Sequence, residues 1–148
     1  SMYLREIEGR EDGAPPPVDL DVERRNGDFV RAQILLGAVA ACHDLSDGGL
    51  MVGAAEMALA SARGIEIYGD CAGSVPLHAW LFGEDQGRYL IATEDAGALL
   101  AVAAAAGVSA QRIGAVGGDD LRLADFSLPL TKLRDSHEKW LPNFMAGV

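Results

Sequence analysis

The stretch "ACHDLSDGGL", Ala41 to Leu50, sets a polar cluster between two apolar segments and decides how the chain divides into elements. Before it, from Asp19 to Ala41, the apolar residues Val22, Phe29, Ala32, Leu36 and Val39 recur at helical spacing, with Glu23, Arg24, Asp28 and Arg31 between them. After it, Leu50, Ala54, Met57 and Ala58 repeat at the same period until Arg63 and Gly64. The spacing predicts a long amphipathic helix capped by Asp19 or Asp21, a short strand over 40–43, and a second helix opened by the glycine pair. A strand, a polar turn and a helix start leave backbone N–H groups pointing outward, so the same stretch is the first place to look for a ligand.

Working outward, "IEIY" (Ile65 to Tyr68) reads as a strand, "GDCAGSVP" as a loop and "LHAWLFGE" as a short helix ended at Gly83. "RYLIAT" (Arg88 to Thr93) is a strand, and Thr93 reads as the cap of a helix that carries Glu94 and Asp95 in its first turn and runs to Gly107. "RIGAV" and "LRLAD" read as two strands joined by the turn "GGDD", and Leu130, Leu133, His137, Trp140 and Leu141 mark a terminal helix. About four helices and about four strands in alternation predict an α+β layered domain, a small mixed β-sheet flanked by helices. A full doubly wound nucleotide fold is excluded, because the β-α units are too few and neither G-x-G-x-x-G nor G-x-x-x-x-G-K-[ST] occurs.

Pro15, Pro16 and Pro17 cannot sit inside a helix or a central strand, so residues 1–18 are expected to be an extended linker arm and residues 19–148 the domain. The start in mid-pattern suggests that further polypeptide precedes it. At 148 residues and 49% hydrophobic, with only 6% aromatic, the chain has the material for one compact domain whose core is built from small residues. A net charge of −10 excludes a nucleic-acid partner, since this surface repels polyanions. A phosphate compound has to be held locally, by oriented amides or by a Mg²⁺ ion bridging carboxylate to phosphate. Cys42 and Cys71 lack metal-ligand spacing and are expected to be buried, reduced thiols. The apolar runs are too short and alanine-rich to cross a membrane, and a cytoplasmic location is expected.

In "HDLSDGGL" the amides of Gly48, Gly49 and Leu50 open a helix, which favours an anion. Ser46 adds a hydroxyl, and Asp44 and Asp47 either hold Mg²⁺ or cap the helix. The residues alone leave two readings open, a phosphate and metal site or an ordinary turn, with His43 a packed strand residue. "FGEDQGRY" likewise reads either as a turn that orients a ligand or meets another domain, or as a solvated turn with a Glu84 to Arg88 pair. His78 and His137 have no partner spacing, and neither G-x-S-x-G nor H-E-x-x-H is present, so no catalytic residue is expected in this chain.

"HDLSDGGLMVGAAEMALAS", followed by "LFGEDQGRYLIAT" and preceded by "SMYLREIEGREDGAPPPVDLDVERRNGDFV", resembles the C-terminal region of the phosphoribosylformylglycinamidine synthase large-subunit family. The resemblance covers nearly the whole chain. It implies the C-terminal fold of aminoimidazole ribonucleotide synthetase-type enzymes. It also implies a part in the conversion of formylglycinamide ribonucleotide, ATP and glutamine-derived ammonia to formylglycinamidine ribonucleotide. On the same resemblance, Asp44 ligates Mg²⁺ and Ser46 touches the nucleotide. The long members of the family can carry arginine where this chain has Leu45. The expected binding set is thus Ser46, Asp47, Gly48 and Gly49 for ATP, with Asp44 on the metal. The implied partners are preceding N-terminal domains of the same subunit, a glutaminase subunit and a small accessory subunit. Two other readings stand beside this one: a structural and docking module, and a domain of another synthetase or kinase of the superfamily, against which "LFGEDQGRYL" argues.

Overall fold

The computed structural model describes residues 1–147. In chain order the elements are α1 (Met2–Glu6), α2 (Leu20–Leu35), β1 (Ala41–Asp44), α3 (Gly49–Ser61), β2 (Ile65–Ile67), a 3-10 turn (Gly69–Ala72), α4 (Leu77–Phe82), β3 (Tyr89–Ala92), α5 (Ala96–Ala105), β4 (Gly114–Val116), β5 (Asp120–Leu123), β6 (Phe126–Pro129) and α6 (Leu130–Ala146). They form two compact units. One comprises Ser1–Ala54 and Ala72–Arg112; the other comprises Ala55–Cys71 and the chain from Ile113 onward.

In the first unit β1 and β3 pair antiparallel, from Ala41 opposite Ala92 to Asp44 opposite Tyr89. Leu45 N prolongs the ladder by donating to Arg88 O at 2.9 Å. α2 starts where Asp19 caps it, one carboxylate oxygen accepting from the amides of Asp21 and Val22 at 3.1 and 3.0 Å. Its inner face buries Val30 and Gln33. Leu36, placed on that face by the spacing, is 76% exposed, because the helix has ended at Leu35 and Gly37 (φ +73°) reverses the chain. The unit's core is made of Val30, Leu45, Leu50, Ala54, Leu81, Ala103 and Val108. Alanines among these leucines and valines let the elements approach closely.

The cap of α5 is Asp95 and not Thr93. Asp95 Oδ1 accepts from Ala98 N at 2.9 Å, while the Thr93 hydroxyl donates to Ala38 O at 2.8 Å and accepts from Asp95 N. Thr93 is therefore occupied in tying β3 to the segment before β1. The helix closes with Val108 N donating to Ala103 O across Gly107, and both apolar side chains are buried. Residues 1–18 are not extended throughout, since Met2–Glu6 is helical.

The second unit holds a four-stranded mixed sheet in the order β4-β2-β5-β6, with β2 and β5 parallel and the other neighbours antiparallel. The expected pairing of "RIGAV" with "LRLAD" does not form, because β2 lies between β4 and β5. The turn that joins them is caught by Gly64, whose amide donates to Gly118 O at 2.7 Å and whose carbonyl accepts from Gly117 N at 2.8 Å. β6 was not anticipated from "FSLP"; it returns on β5 through Ala124 and Asp125, with Ala124 at φ +50°. Ile67 and Leu121 are buried in this sheet, as is Leu130 at the start of α6. Arg134 of α6 donates to Leu59 O at 2.8 Å. The fold is α+β with a mixed sheet, as the sequence predicts, and the β1–β3 pair is a separate second sheet.

Candidate functional site

β1 ends at Asp44 and the chain turns through Leu45, Ser46, Asp47 and Gly48 into α3. Leu45 and Leu50 are buried at the two ends of the turn; Ser46 and Asp47 are exposed between them, and Asp44 is exposed just before Leu45. Gly48 and Gly49 have φ of +79° and +65°, two consecutive left-handed residues that other side chains rarely tolerate. A Cβ on Gly49 would lie 2.6 Å from Gly83 O and 2.9 Å from the Phe82 carbonyl carbon, so the end of α4 packs directly on this backbone.

The amides of the glycine pair are engaged. Gly48 N donates to Glu84 Oε1 at 3.1 Å, and Gly49 N donates to Ser46 O at 3.0 Å. The same Glu84 oxygen accepts from Met2 N at 2.7 Å, and Tyr3 stacks on Phe82 with ring centroids 4.9 Å apart. The Glu84 side chain, 21% exposed, thus places a carboxylate at the positive end of α3. A phosphate reaching the Gly48 amide would have to displace it. The pair expected within "FGEDQGRY" is replaced by another: Arg88 Nη1 lies 3.4 Å from Asp85 Oδ2 and donates to Gly83 O at 3.3 Å. The role of Glu84 escaped the sequence reading. Its only local signal is a carboxylate immediately after the glycine that ends α4.

Asp44 and Ser46 open onto a cleft of about 490 Å³. Its other walls are Leu20, Glu23 and Arg24 on one face of α2, Leu45, and the turn Gln86 to Tyr89. Asn26 Nδ2 donates to Gly87 O at 3.1 Å and holds that turn against α2. The structure therefore brings Asp44 and Ser46 together in one cleft. Asp47, Gly48 and Gly49 are not among its lining residues.

Among the described residues, no hydrogen bond engages the side chains of Asp44, Ser46 or Asp47, so none of the three is the cap of α3. The cleft carries both signs of charge, with Glu23 and Asp44 against Arg24 and Arg88. No three His, Cys, Asp or Glu side chains among the described residues converge to hold a metal ion. Asp44 offers one carboxylate, which fits Mg²⁺ only if phosphate oxygens and water complete the shell. Cys42 and Cys71 are half-buried rather than buried, and on the same face of β1 burial and then the Asp44 carboxylate raise the pKa of the Cys42 thiol, which favours its protonated form. His43 donates from Nδ1 to the Asp44 carbonyl and has a structural partner. No described helix is long and apolar enough to cross a membrane.

A family profile described as "AIR synthase related protein, C-terminal domain" matches residues 1–125. The chain belongs to this family. The match to the AIR synthase related C-terminal domain includes α1 and the whole cleft and ends before β6. Over 148 residues the chain is 54% identical to the phosphoribosylformylglycinamidine synthase subunit PurL of Caulobacter vibrioides, covering 99% of this chain and 20% of that protein. It therefore spans about a fifth of the length of the curated relatives it matches.

Among solved structures it is similar to Thermotoga maritima PurL complexed with FGAR, at TM-score 0.71 and 16% identity, covering 89% of this chain and 24% of that one. It is also similar to T. maritima PurL complexed with AMPPCP, at TM-score 0.63 and 17% identity, covering 82% and 24%. At these identities the likeness is one of fold, and it agrees with the α+β layering expected from the sequence.

Proposed function

We propose that this chain is the C-terminal domain of an ATP-dependent carbon-nitrogen ligase of purine biosynthesis. The whole enzyme would convert formylglycinamide ribonucleotide and glutamine-derived ammonia to formylglycinamidine ribonucleotide in the cytoplasm. The observation that carries this reading is the 54% identity running through 99% of the chain to a relative named for that synthase. The FGAR and AMPPCP complexes of T. maritima PurL add support for the substrate and for ATP.

On this reading the cleft beside β1 takes a Mg-nucleotide. Asp44 holds the ion, which would neutralise phosphate charge that the acidic chain otherwise repels. Ser46 offers its free hydroxyl to a nucleotide oxygen, and Arg24 and Arg88 bring positive charge into the same cleft. Asp47, Gly48 and Gly49 act through the shape of the turn that presents Ser46. The preceding domains of the subunit, a glutaminase subunit and a small accessory subunit are the proposed partners. The 148 residues alone have no synthase activity, because one wall of a site positions no reacting atoms.

A second reading, a docking module, is favoured by the exposed apolar residues Trp140, Leu141, Phe144 and Met145 on α6. Titration calorimetry of Mg-ATP into the chain separates the two. The nucleotide reading expects binding that Asp44→Ala or EDTA weakens about tenfold or more. Absence of binding by both the chain and the full subunit that contains it, or equal affinity in all three conditions, would leave only the docking role.

A further inference from the structure

Glu23 stands out in the cleft. Its Oε1 atom is buried without a hydrogen-bond partner, the only such side-chain oxygen or nitrogen among the described residues. The side chain is held in place. A Cβ on Gly87 would lie 2.7 Å from Glu23 Cγ and 3.2 Å from its Cα, so only glycine there leaves room for the carboxylate stem. Asn26, on the same helix, fixes the Gly87 carbonyl at 3.1 Å. Gly87 and Glu23 both line the cleft that Asp44 and Ser46 open onto. A buried carboxylate oxygen without a donor is costly, and a fold that holds one rigidly beside a ligand-sized cleft leaves the donor to the ligand.

We infer that Glu23 accepts a hydrogen bond from a neutral donor of the bound nucleotide, either a ribose hydroxyl or the exocyclic amine of the base. This rests on the nucleotide reading of the cleft and says which end of the nucleotide lies where. A carboxylate is acceptor-only, and phosphate oxygens at neutral pH have no proton to give, so Glu23 repels the triphosphate and favours the sugar or base. Asp44, through its ion, and Ser46 receive the phosphates. Glu23 is thereby a specificity-determining residue that orients the nucleotide by attraction at one end and repulsion at the other.

The experiment compares the affinities of the chain for the Mg²⁺ complexes of ATP, 2′-deoxy-ATP, 3′-deoxy-ATP and inosine triphosphate, using wild type and Glu23→Met. Methionine keeps the length of the stem and removes both oxygens. Wild type is expected to lose about tenfold in affinity for the analogue that lacks the relevant donor, which also identifies that donor as sugar or base. Glu23→Met is expected to bind ATP about tenfold more weakly and to discriminate no longer. Its melting temperature without ligand should equal or exceed that of wild type, since an unpaired buried oxygen has been removed. Equal wild-type affinity for all four nucleotides, or unchanged discrimination by Glu23→Met, overturns the inference alone. A clear fall in the melting temperature of Glu23→Met also overturns it, by showing a structural role. Failure of wild type to bind any nucleotide overturns it together with the nucleotide reading.

Discussion

Two strand-to-helix turns leave the β1–β3 pair, and the two helices they start are stabilised in opposite ways. After β3 the chain enters α5 through Thr93 to Asp95, and Asp95 caps the helix itself through Ala98 N at 2.9 Å. After β1 it enters α3 through Leu45 to Gly48, and the carboxylate at the helix start comes from Glu84, 36 residues away. The difference decides which turn is free to bind. A local cap uses its own aspartate for structure, whereas the borrowed carboxylate leaves Asp44, Ser46 and Asp47 without structural duties at the head of α3. Asp44, just before the buried Leu45, and Ser46 and Asp47, between it and the buried Leu50, are then available to a ligand.

The sharpest way to break this comparison is to place a methyl group in the first turn of each helix. Gly49→Ala forces a Cβ against the backbone of Gly83 and Phe82 at φ +65°, and is expected to cost about 3 kcal/mol or more. Gly97→Ala meets only Asp95 Oδ1, at an ordinary 3.4 Å, and is expected to stabilise by about 0.5 kcal/mol through helix propensity. Urea unfolding of both variants checks the pair. A small effect at Gly49 would mean that α4 does not pack on this turn.

Next in size is the loss of each carboxylate. Glu84→Ala leaves the Gly48 and Met2 amides without their acceptor and should cost about 2 kcal/mol. Asp95→Ala should cost about 1 kcal/mol, the usual value of an N-cap. Hydrogen exchange sharpens the comparison. Glu84→Ala should speed exchange of the Gly48 amide, and Asp95→Ala that of Ala98, with neither affecting the other's site.

The same contrast explains what was legible in the sequence. Asp19, "RYLIAT" and the helical repeat after Gly49 declare themselves because the hydrogen bonds and burial they imply are made within a few residues. Thr93 misled because its hydroxyl is spent on Ala38, 55 residues away, and the cap passed to Asp95. The "GGDD" turn misled for a related reason: Gly64 captures it and inserts β2 between the two strands it joins. Within the candidate site, "HDLSDGGL" was readable as a polar turn before a helix, and Asp44 and Ser46 do share a cleft. Glu84 and Glu23 were not readable, since their meaning depends on Gly48 and Gly87, each distant in sequence.

The smallest expected effect tests the central distinction most directly. If Asp47 capped α3 as Asp95 caps α5, Asp47→Ala would cost about 1 kcal/mol, as Asp95→Ala does. Asp47 is exposed and its side chain makes no hydrogen bond among the described residues, so the expected cost is within about 0.5 kcal/mol of zero. Relief of repulsion in a chain of net charge −10 can tip the sign toward stabilisation. Side-by-side denaturation of Asp47→Ala and Asp95→Ala at low and high salt measures both contributions. Equal losses in the two variants would make the Gly48–Gly49 turn an ordinary capped helix start and withdraw the structural argument for a ligand beside it.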